Sequence, residues 1–146
     1  MTRNNNKILL VEDDRMDVEL TLNALSENNI TNDVIVARDG AEALDYLFRR
    51  GAYASRSDHD PLLILLDLKL PKVDGLEVLD QLKRDERMRA LPVVMLTSSN
   101  EEKDVVRSYY LGVNAYVVKP VDFDEFAAAI RQVGLFWTIT NHPPQF

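Results

Sequence analysis

The sequence contains no cysteine and no long apolar run, and both absences narrow what the chain can do. Without cysteine, neither disulfide bonds nor thiolate chemistry is available. No apolar stretch approaches the roughly 18 residues of a membrane helix, and the polar start, MTRNNNK, has no apolar signal core. Basic residues are scarce too: 17 lysines and arginines stand against 24 acids, a formal net charge of -7. Because nucleic-acid phosphates require a basic surface, we expect no nucleic-acid partner. The absence of cysteine and of long apolar runs leads us to expect a cytoplasmic protein with no membrane partner.

What the sequence does contain is a set of five short apolar runs, rich in leucine and β-branched residues. These runs are KILLV (7–11), DVIVA (33–37), LLILL (62–66), VVMLT (93–97) and AYVVK (115–119). Most of them are apolar throughout rather than alternating, which is typical of parallel strands that are covered on both faces. We therefore predict five strands in one parallel sheet.

The segments between these runs have the spacing of helices, with apolar residues recurring at steps of three and four. The predicted buried positions are Val18, Leu22 and Leu25; Ala43, Leu44, Leu47 and Phe48; Val78, Leu79 and Leu82; Val105, Val106, Tyr109 and Tyr110; and Phe123, Phe126, Ala127, Ile130 and Trp137. Strict alternation of strand and helix predicts an α/β fold, a doubly wound sheet of flavodoxin-like order 2-1-3-4-5. We expect one domain over residues 1–146, with its core at about 7–136 and an irregular tail at 138–146.

Helix boundary signals support this division of the chain. Asp14 and Asp122 are predicted N-caps of the first and fifth helices. Ser99 followed by Glu102 fits a capping box before the fourth helix. Gly112 is placed to end the fourth helix and lead into the fifth strand.

Polar side chains of complementary chemistry stand where several of these strands end. They are Glu12, Asp13 and Asp14 after the first strand, Asp67 after the third, Thr97 at the end of the fourth and Lys119 at the end of the fifth. Strand ends of one kind lie along one edge of a parallel sheet, and ligands bind there at the switch point. We therefore expect residues more than a hundred positions apart to meet in one site.

The residue types indicate which chemistry this site supports. Clustered carboxylates repel one another unless a cation neutralises them, and oxygen-only ligands favour a hard cation such as Mg²⁺. A carboxylate can also act as a nucleophile and accept a phosphoryl group. The Lys119 ammonium would offset the charge of the transferring oxygens, and the Thr97 hydroxyl could hydrogen-bond one of them. The sequence therefore predicts a phosphoryl-accepting, Mg²⁺-binding site.

The motifs VEDD, LLDLKLPKVDG, VVMLTSS and AYVVKP, taken in this order, resemble the receiver domain of two-component response regulators. The resemblance implies that Asp67 is the phosphoacceptor, with Glu12, Asp13 and the backbone carbonyl of Lys69 completing the protein ligands of Mg²⁺. It also implies a phosphoryl donor that is a histidine kinase or a histidine phosphotransfer protein.

The same resemblance assigns roles at the last two strands. Thr97 would be the switch hydroxyl, Tyr116 the switch aromatic residue and Lys119 the phosphate-binding cation. The Lys119–Pro120 peptide bond would be cis, which is inexpensive only before proline. Phosphorylation would draw Thr97 toward the phosphoryl oxygens and bias Tyr116 inward.

Further features resemble a narrower group, the single-domain regulators that pair with bacterial phytochromes. These features are the long connection containing GAYA, the stretch DLKLPKVDGLEVL and the FW pair near the C-terminus. They imply a phytochrome-type kinase as the partner and no attached output domain.

Two other functions remain open at the level of sequence. One is an Mg²⁺-dependent phosphatase with a carboxylate nucleophile; Leu68 and Lys69 follow Asp67 where such an enzyme usually has a second acid, and no cap insertion is evident. The other is a scaffold whose aspartate is never phosphorylated. We expect no enzyme activity beyond self-phosphorylation and autodephosphorylation, and we interpret His59 and His142 as exposed bystanders.

The end of the chain suggests self-association. Leu135 and Phe136 point away from the buried stripe of the fifth helix, and the tail adds Ile139 and Phe146. Several adjacent exposed apolar residues suggest a contact surface. We hypothesise a homodimer through this end of the chain; the alternative is a tail that folds back over the patch within the monomer.

Overall fold

A computed structural model describes residues 7–133, and these form a five-stranded parallel sheet flanked by five helices. The strands are β1 (Ile8–Val11), β2 (Val34–Ala37), β3 (Leu63–Leu66), β4 (Val93–Thr97) and β5 (Ala115–Val118). Their order is β2-β1-β3-β4-β5, and every neighbouring pair is parallel. The predicted fold and strand order are confirmed, and each strand lies within one residue of its predicted bounds.

The helices are α1 (Arg15–Glu27), α2 (Gly40–Phe48), α3 (Gly75–Arg84), α4 (Glu102–Tyr110) and α5 (Phe123–Val133). Leu135, Phe136, Trp137, Ile139, His142 and Phe146, on which the dimer hypothesis and two other predictions depend, lie outside the described residues. Between residues 7 and 133, no helix combines the length and the apolar character that crossing a membrane requires.

The sheet separates two apolar clusters, because successive strand side chains point to opposite faces. Leu9 and Leu66 lie in the cluster covered by α2 and α3, whereas Leu10 and Leu65 lie in the cluster covered by α1 and α5. The three inner strands β1, β3 and β4 are buried along their whole length. This explains why their sequences are apolar throughout, while the edge strands β2 and β5 are partly exposed.

Most of the predicted helix boundaries are confirmed. The Asp14 side chain accepts a hydrogen bond from the Asp17 backbone N–H at 3.0 Å, and Asp122 accepts one from the Glu125 N–H at 2.8 Å. Gly112, at φ 106°, follows α4 in the left-handed region. The capping box was wrong: the N-cap of α4 is Glu101, and the Ser99 hydroxyl donates instead to the Asp104 carboxylate at 2.5 Å.

The buried face was predicted correctly for α2 and α3 but not everywhere else. Leu22 is 37% exposed, because Thr21, Ala24 and Leu25 take the side of α1 that faces the sheet. In α4 the only fully buried residue is the small Ser108, and Tyr110 is 86% exposed. A small residue lets the helix approach the sheet closely, and the bulky rings then find room only on the outer side.

The long connection between α2 and β3 is organised around Arg56, whose side chain is only 6% exposed. Its guanidinium stacks over the Tyr46 ring at 4.1 Å and pairs with Asp58 at 3.1 Å and Asp60 at 3.2 Å. Arg49 adds a hydrogen bond to the carbonyl of Asp58 at 2.6 Å. His59 in this connection is exposed, as expected.

Candidate functional site

The sheet's hydrogen bonding continues one residue beyond three of the strands, and this continuation fixes the polar residues of the site. The Glu12 N–H donates to Ala37 at 2.9 Å, the Asp67 N–H to Val11 at 3.1 Å and the Lys119 N–H to Thr97 at 2.8 Å. Each backbone is therefore held by a neighbouring strand at the carboxyl edge of the sheet. The Lys119–Pro120 bond is cis, as the family resemblance implied.

Strand alternation decides which side of the sheet each of these side chains takes. Glu12 and Asp67 continue the pattern of Leu10 and Leu65, so they emerge on the side covered by α1 and α5. Lys119 continues the pattern of Val117 on that same side. Thr97 follows Met95 and Val93, which lie in the opposite cluster. Two acids and a lysine thus meet beside α1, and Thr97 approaches from the other side.

The Lys119 ammonium is at the centre of this arrangement. Its Nζ lies 2.5 Å from Glu12 Oε1, 3.0 Å from Asp67 Oδ2 and 3.0 Å from Asp17 Oδ2. The lysine side chain is 9% exposed, and the Glu12 and Asp67 side chains are 2% and 9% exposed. An ammonium has three protons, so these three carboxylates use its full capacity to donate.

Burial and charge act against each other at these groups. Burial raises the pKa of Glu12 to about 7, the charge of Asp67 adds to this, and the hydrogen bonds from Lys119 and the Asp14 N–H oppose it. Burial alone would lower the pKa of Lys119, but its hydrogen bonds to Glu12 and Asp17 and the charge of Asp67 outweigh burial and raise it. Lys119 therefore stays protonated, and the acids around it still carry excess negative charge.

A metal-capable group is present at the same place. One carboxylate oxygen each from Glu12, Asp13 and Asp67 lie within 4.8 Å of one another. Asp13 is exposed, whereas Asp14 caps α1 and stands outside this group. Three carboxylate oxygens suit a hard divalent cation, and its charge would relieve the repulsion that helps to raise the pKa of Glu12. The donor set therefore fits the predicted metal site.

The acids open into a pocket of about 500 Å³ at the carboxyl edge of the sheet. Lys69 lies on the wall of this pocket, together with Thr97 and Ser99. Thr97 is 1% exposed, and its Oγ1 accepts a hydrogen bond from the Ser99 N–H at 3.3 Å. Six of the seven site residues predicted from the sequence therefore line this pocket: Glu12, Asp13, Asp67, Lys69, Thr97 and Lys119. The seventh, Tyr116, lies next to it.

Tyr116 joins the site through Ser99 rather than directly. Its hydroxyl donates to the Ser99 carbonyl oxygen at 2.8 Å, and its half-buried ring packs against the cluster that contains Leu66 and Met95. Whether this ring points inward or outward could not be decided from the sequence. In the structure it points inward, and Ser99 connects it to Thr97 and, through Asp104, to α4.

Sequence reasoning missed two residues that shape the site. Asp17 contacts Lys119 from the first turn of α1; the only signal was an acid one helical turn beyond Asp13. Gly75 packs against the backbone of Asp67, since a Cβ there would lie 2.1 Å from the carbonyl oxygen of Asp67. The sequence signal for Gly75 was the Asp-Gly pair after the Pro71 loop, but the sequence could not show that the backbone of Asp67 lies against it.

The doubly wound sheet and the acidic pocket around Lys119 define a flavodoxin-like receiver fold. A family model described as the response regulator receiver domain matches residues 8–131. The chain belongs to this family. Over 133 residues it is 40% identical to the response regulator Rcp1 of Synechocystis sp., an alignment covering 91% of this chain and 89% of Rcp1.

Solved structures agree with this assignment. The bacteriophytochrome response regulator RtBRR has a TM-score of 0.85 and 60% identity, covering 97% of this chain and 85% of RtBRR. The Mn(2+)-bound form of Rcp1 has a TM-score of 0.75 and 36% identity, covering 97% of this chain and 99% of Rcp1. The phosphorylated cyanobacterial phytochrome response regulator RcpA has a TM-score of 0.76 and 38% identity, covering 97% and 98%.

These findings establish the general function. The protein is a response regulator of two-component signalling, a switch that is activated by phosphorylation of an aspartate. Receiver domains bind a divalent metal at their acidic pocket, and they interact with histidine kinases or histidine phosphotransfer proteins.

Proposed function

We propose that Asp67 is the aspartate that receives the phosphoryl group. The observation that carries this proposal is its position: Asp67 follows β3, the middle strand of the sheet, belongs to the metal-capable group and lies 3.0 Å from the Lys119 ammonium. It therefore lies between Glu12, which follows β1, and Thr97, which ends β4. In the reaction, an Asp67 carboxylate oxygen forms a bond to the donor's phosphorus. The phosphorus–nitrogen bond of a phosphohistidine breaks, and the imidazole nitrogen keeps the bonding electron pair.

We assign Mg²⁺ as the bound cation, held by Glu12, Asp13, Asp67 and the backbone carbonyl of Lys69. When bound, Mg²⁺ would neutralise charge on the transferring oxygens. The chain's own contribution is Lys119, whose buried ammonium supplies a fixed positive charge beside Asp67. The three carboxylates that surround Lys119 oppose the loss of its proton, so the ammonium stays charged.

Thr97 and Tyr116 form the switch in this proposal. A phosphoryl group on Asp67 gives the Thr97 hydroxyl a new acceptor, and Thr97 already contacts Ser99, whose carbonyl holds the Tyr116 hydroxyl. Movement of Thr97 would therefore shift the β4–α4 loop and, through Ser99 and Asp104, α4. A partner that prefers one arrangement of this surface then reads the state of the switch.

We further propose that the protein turns over no external phosphate ester. Two residues beyond Asp67 stands the exposed basic Lys69 rather than a second acid, which disfavours the phosphatase alternative. The kinase partner would be a phytochrome-type histidine kinase of the cytoplasm, since RtBRR and RcpA are phytochrome response regulators.

A homodimer remains our proposal for the assembly. Among the described residues, Tyr109 and Tyr110 on α4 and Phe123 on α5 are exposed, so these helices could add to the contact predicted for residues 134–146. Sedimentation of the full chain beside a chain that ends at residue 135 tests this proposal. A full-length protein that stays monomeric at micromolar concentration, with and without a phosphoryl mimic, would refute it.

One experiment tests the central assignment. The protein is incubated with MgCl₂ and phosphoramidate, and its intact mass is measured over time. One added phosphoryl group is expected on the wild type and none on Asp67→Asn, with phosphate-ester turnover absent from both. An adduct on Asp67→Asn at the same rate would show that the acceptor is a different residue, and steady ester hydrolysis would favour the phosphatase.

A further inference from the structure

Asp17 is the least expected of the three carboxylates that hold Lys119. It lies in the first turn of α1, not at a strand end, and its Oδ2 is 3.0 Å from the lysine Nζ. Its own backbone N–H is satisfied by the Asp14 cap. The Asp17 side chain is 30% exposed, so it brings a partly solvated carboxylate to an ammonium that is almost fully buried.

The metal-capable group shows what distinguishes Asp17 from the other two acceptors. That group contains Glu12 and Asp67 but not Asp17. A cation bound there draws on the carboxylates of Glu12 and Asp67, which are two of the three acceptors of Lys119. Asp17 is therefore the acceptor of Lys119 that a cation in this group would not bind.

We propose that Asp17 is a positioning residue for phosphoryl transfer, which anchors the Lys119 ammonium beside Asp67 when the metal site is filled. This inference rests on the proposed role of Asp67. Asp17 itself touches neither the phosphoryl donor nor the metal in this proposal; it acts through Lys119. The charge-assisted hydrogen bond keeps a flexible four-carbon side chain in one place, so that the positive charge is already positioned when transfer begins.

The test measures the phosphorylation rate with phosphoramidate at saturating MgCl₂, because a small donor does not dock on α1. Loss of one partly exposed charge-assisted hydrogen bond predicts a rate about tenfold lower for Asp17→Asn. Mg²⁺ affinity should fall by less than the phosphorylation rate does, since Asp17 is outside the metal-capable group and its carboxylate is 30% exposed. Asp17→Glu should recover most of the rate. The control is Glu19→Gln, which removes the same charge from an exposed position on the same helix and should leave the rate unchanged.

A double-mutant cycle separates positioning from a general structural role. In a Lys119→Met background, Asp17→Asn should lower the phosphorylation rate no further. A second cycle, on urea unfolding of the metal-free proteins, should show a coupling of about fivefold in the unfolding constant between Asp17 and Lys119.

The possible failures are distinct. A wild type that gains no phosphoryl group contradicts the assignment of Asp67 and this inference together. A wild type that is phosphorylated while Asp17→Asn matches or exceeds its rate overturns this inference alone. So does an Asp17→Asn effect of equal size with and without Lys119.

Discussion

Adding one methyl group at Gly75 should disturb Asp67, the proposed phosphoacceptor, without touching any polar side chain of the site. Gly75 is the first residue of α3, and its N–H donates to the Leu68 carbonyl at 2.7 Å. A Cβ at this position would lie 2.1 Å from the Asp67 carbonyl oxygen and 2.8 Å from the Leu68 Cα. Both neighbours are backbone atoms, so Gly75→Ala can be accommodated only by moving the chain that carries Asp67.

The size of the effect follows from this contact. Ordinary carbon–oxygen contacts need well over 3 Å, so a Cβ at 2.1 Å requires a displacement on the order of 1 Å. Overpacking of this kind costs about 1–3 kcal/mol in the free energy of unfolding. The better helix propensity of alanine returns at most about 1 kcal/mol. Because a misplacement of about 1 Å can cost a hundredfold in rate, we expect phosphorylation of Gly75→Ala to be at least about tenfold slower.

The matched control is Gly112→Ala, the same substitution at a position remote from the site. Gly112 has φ 106°, so alanine there is strained, at a cost of about 1–3 kcal/mol. Its Cβ would meet only the flexible Lys83 side chain, at 3.2 Å or more. Urea denaturation and the intact-mass assay should show that both variants lose stability but only Gly75→Ala loses phosphorylation rate. If the two variants lose rate equally, or if Gly75→Ala keeps the wild-type rate, the proposed link between α3 and Asp67 is wrong.

Three further predictions concern single side chains. Asp13→Asn should weaken Mg²⁺ binding at least about tenfold more than Asp14→Asn, since Asp13 belongs to the metal-capable group and Asp14 caps α1; isothermal titration giving equal losses would contradict this. Lys69 lines the pocket beside Asp67 and should shield the aspartyl phosphate from water. Lys69→Asn should therefore shorten the lifetime of the aspartyl phosphate several-fold. A half-life of seconds for the wild type at neutral pH would count against shielding. Arg56→Met removes a 6% exposed guanidinium that pairs with Asp58 and Asp60 and should cost about 3 kcal/mol of stability in urea; a loss below about 1 kcal/mol would mean that the connection is held by its other contacts.

The covered faces of the helices show where local pattern fails. In α3, Val78, Leu79 and Leu82 were predicted to be buried and are buried. In α4 the same spacing pointed to Tyr109 and Tyr110, yet the helix presents Ser108 to the interior. The spacing of apolar residues indicates that a helix has an apolar face. It does not show how closely the helix approaches the sheet, because that distance also depends on the residues that the sheet presents to the helix.

The capping box failed for a related reason. Ser99 and Glu102 have the right spacing for one, but the Ser99 hydroxyl donates to Asp104. The Ser99 backbone is meanwhile bound to Thr97 and to the Tyr116 hydroxyl. Because α4 begins at Glu102, the Ser99 Oγ accepts from the Glu101 N–H at 3.3 Å rather than from a backbone N–H of the helix. The residue at which this helix begins depends on how the β4–α4 loop packs, which the sequence alone does not show.

The sequence by itself determined the fold and which strand-end residues meet at the site. Uniformly apolar strands that alternate with helices permit little besides a parallel sheet covered on both faces, and in such a sheet the ends of β1, β3, β4 and β5 must share one edge. Tertiary structure alone decided how these residues are paired. Strand alternation and the packing of α1 brought Asp17 to Lys119, and the approach of α3 brought Gly75 against Asp67. Such contacts depend on distances between elements far apart in the chain, and packing sets those distances.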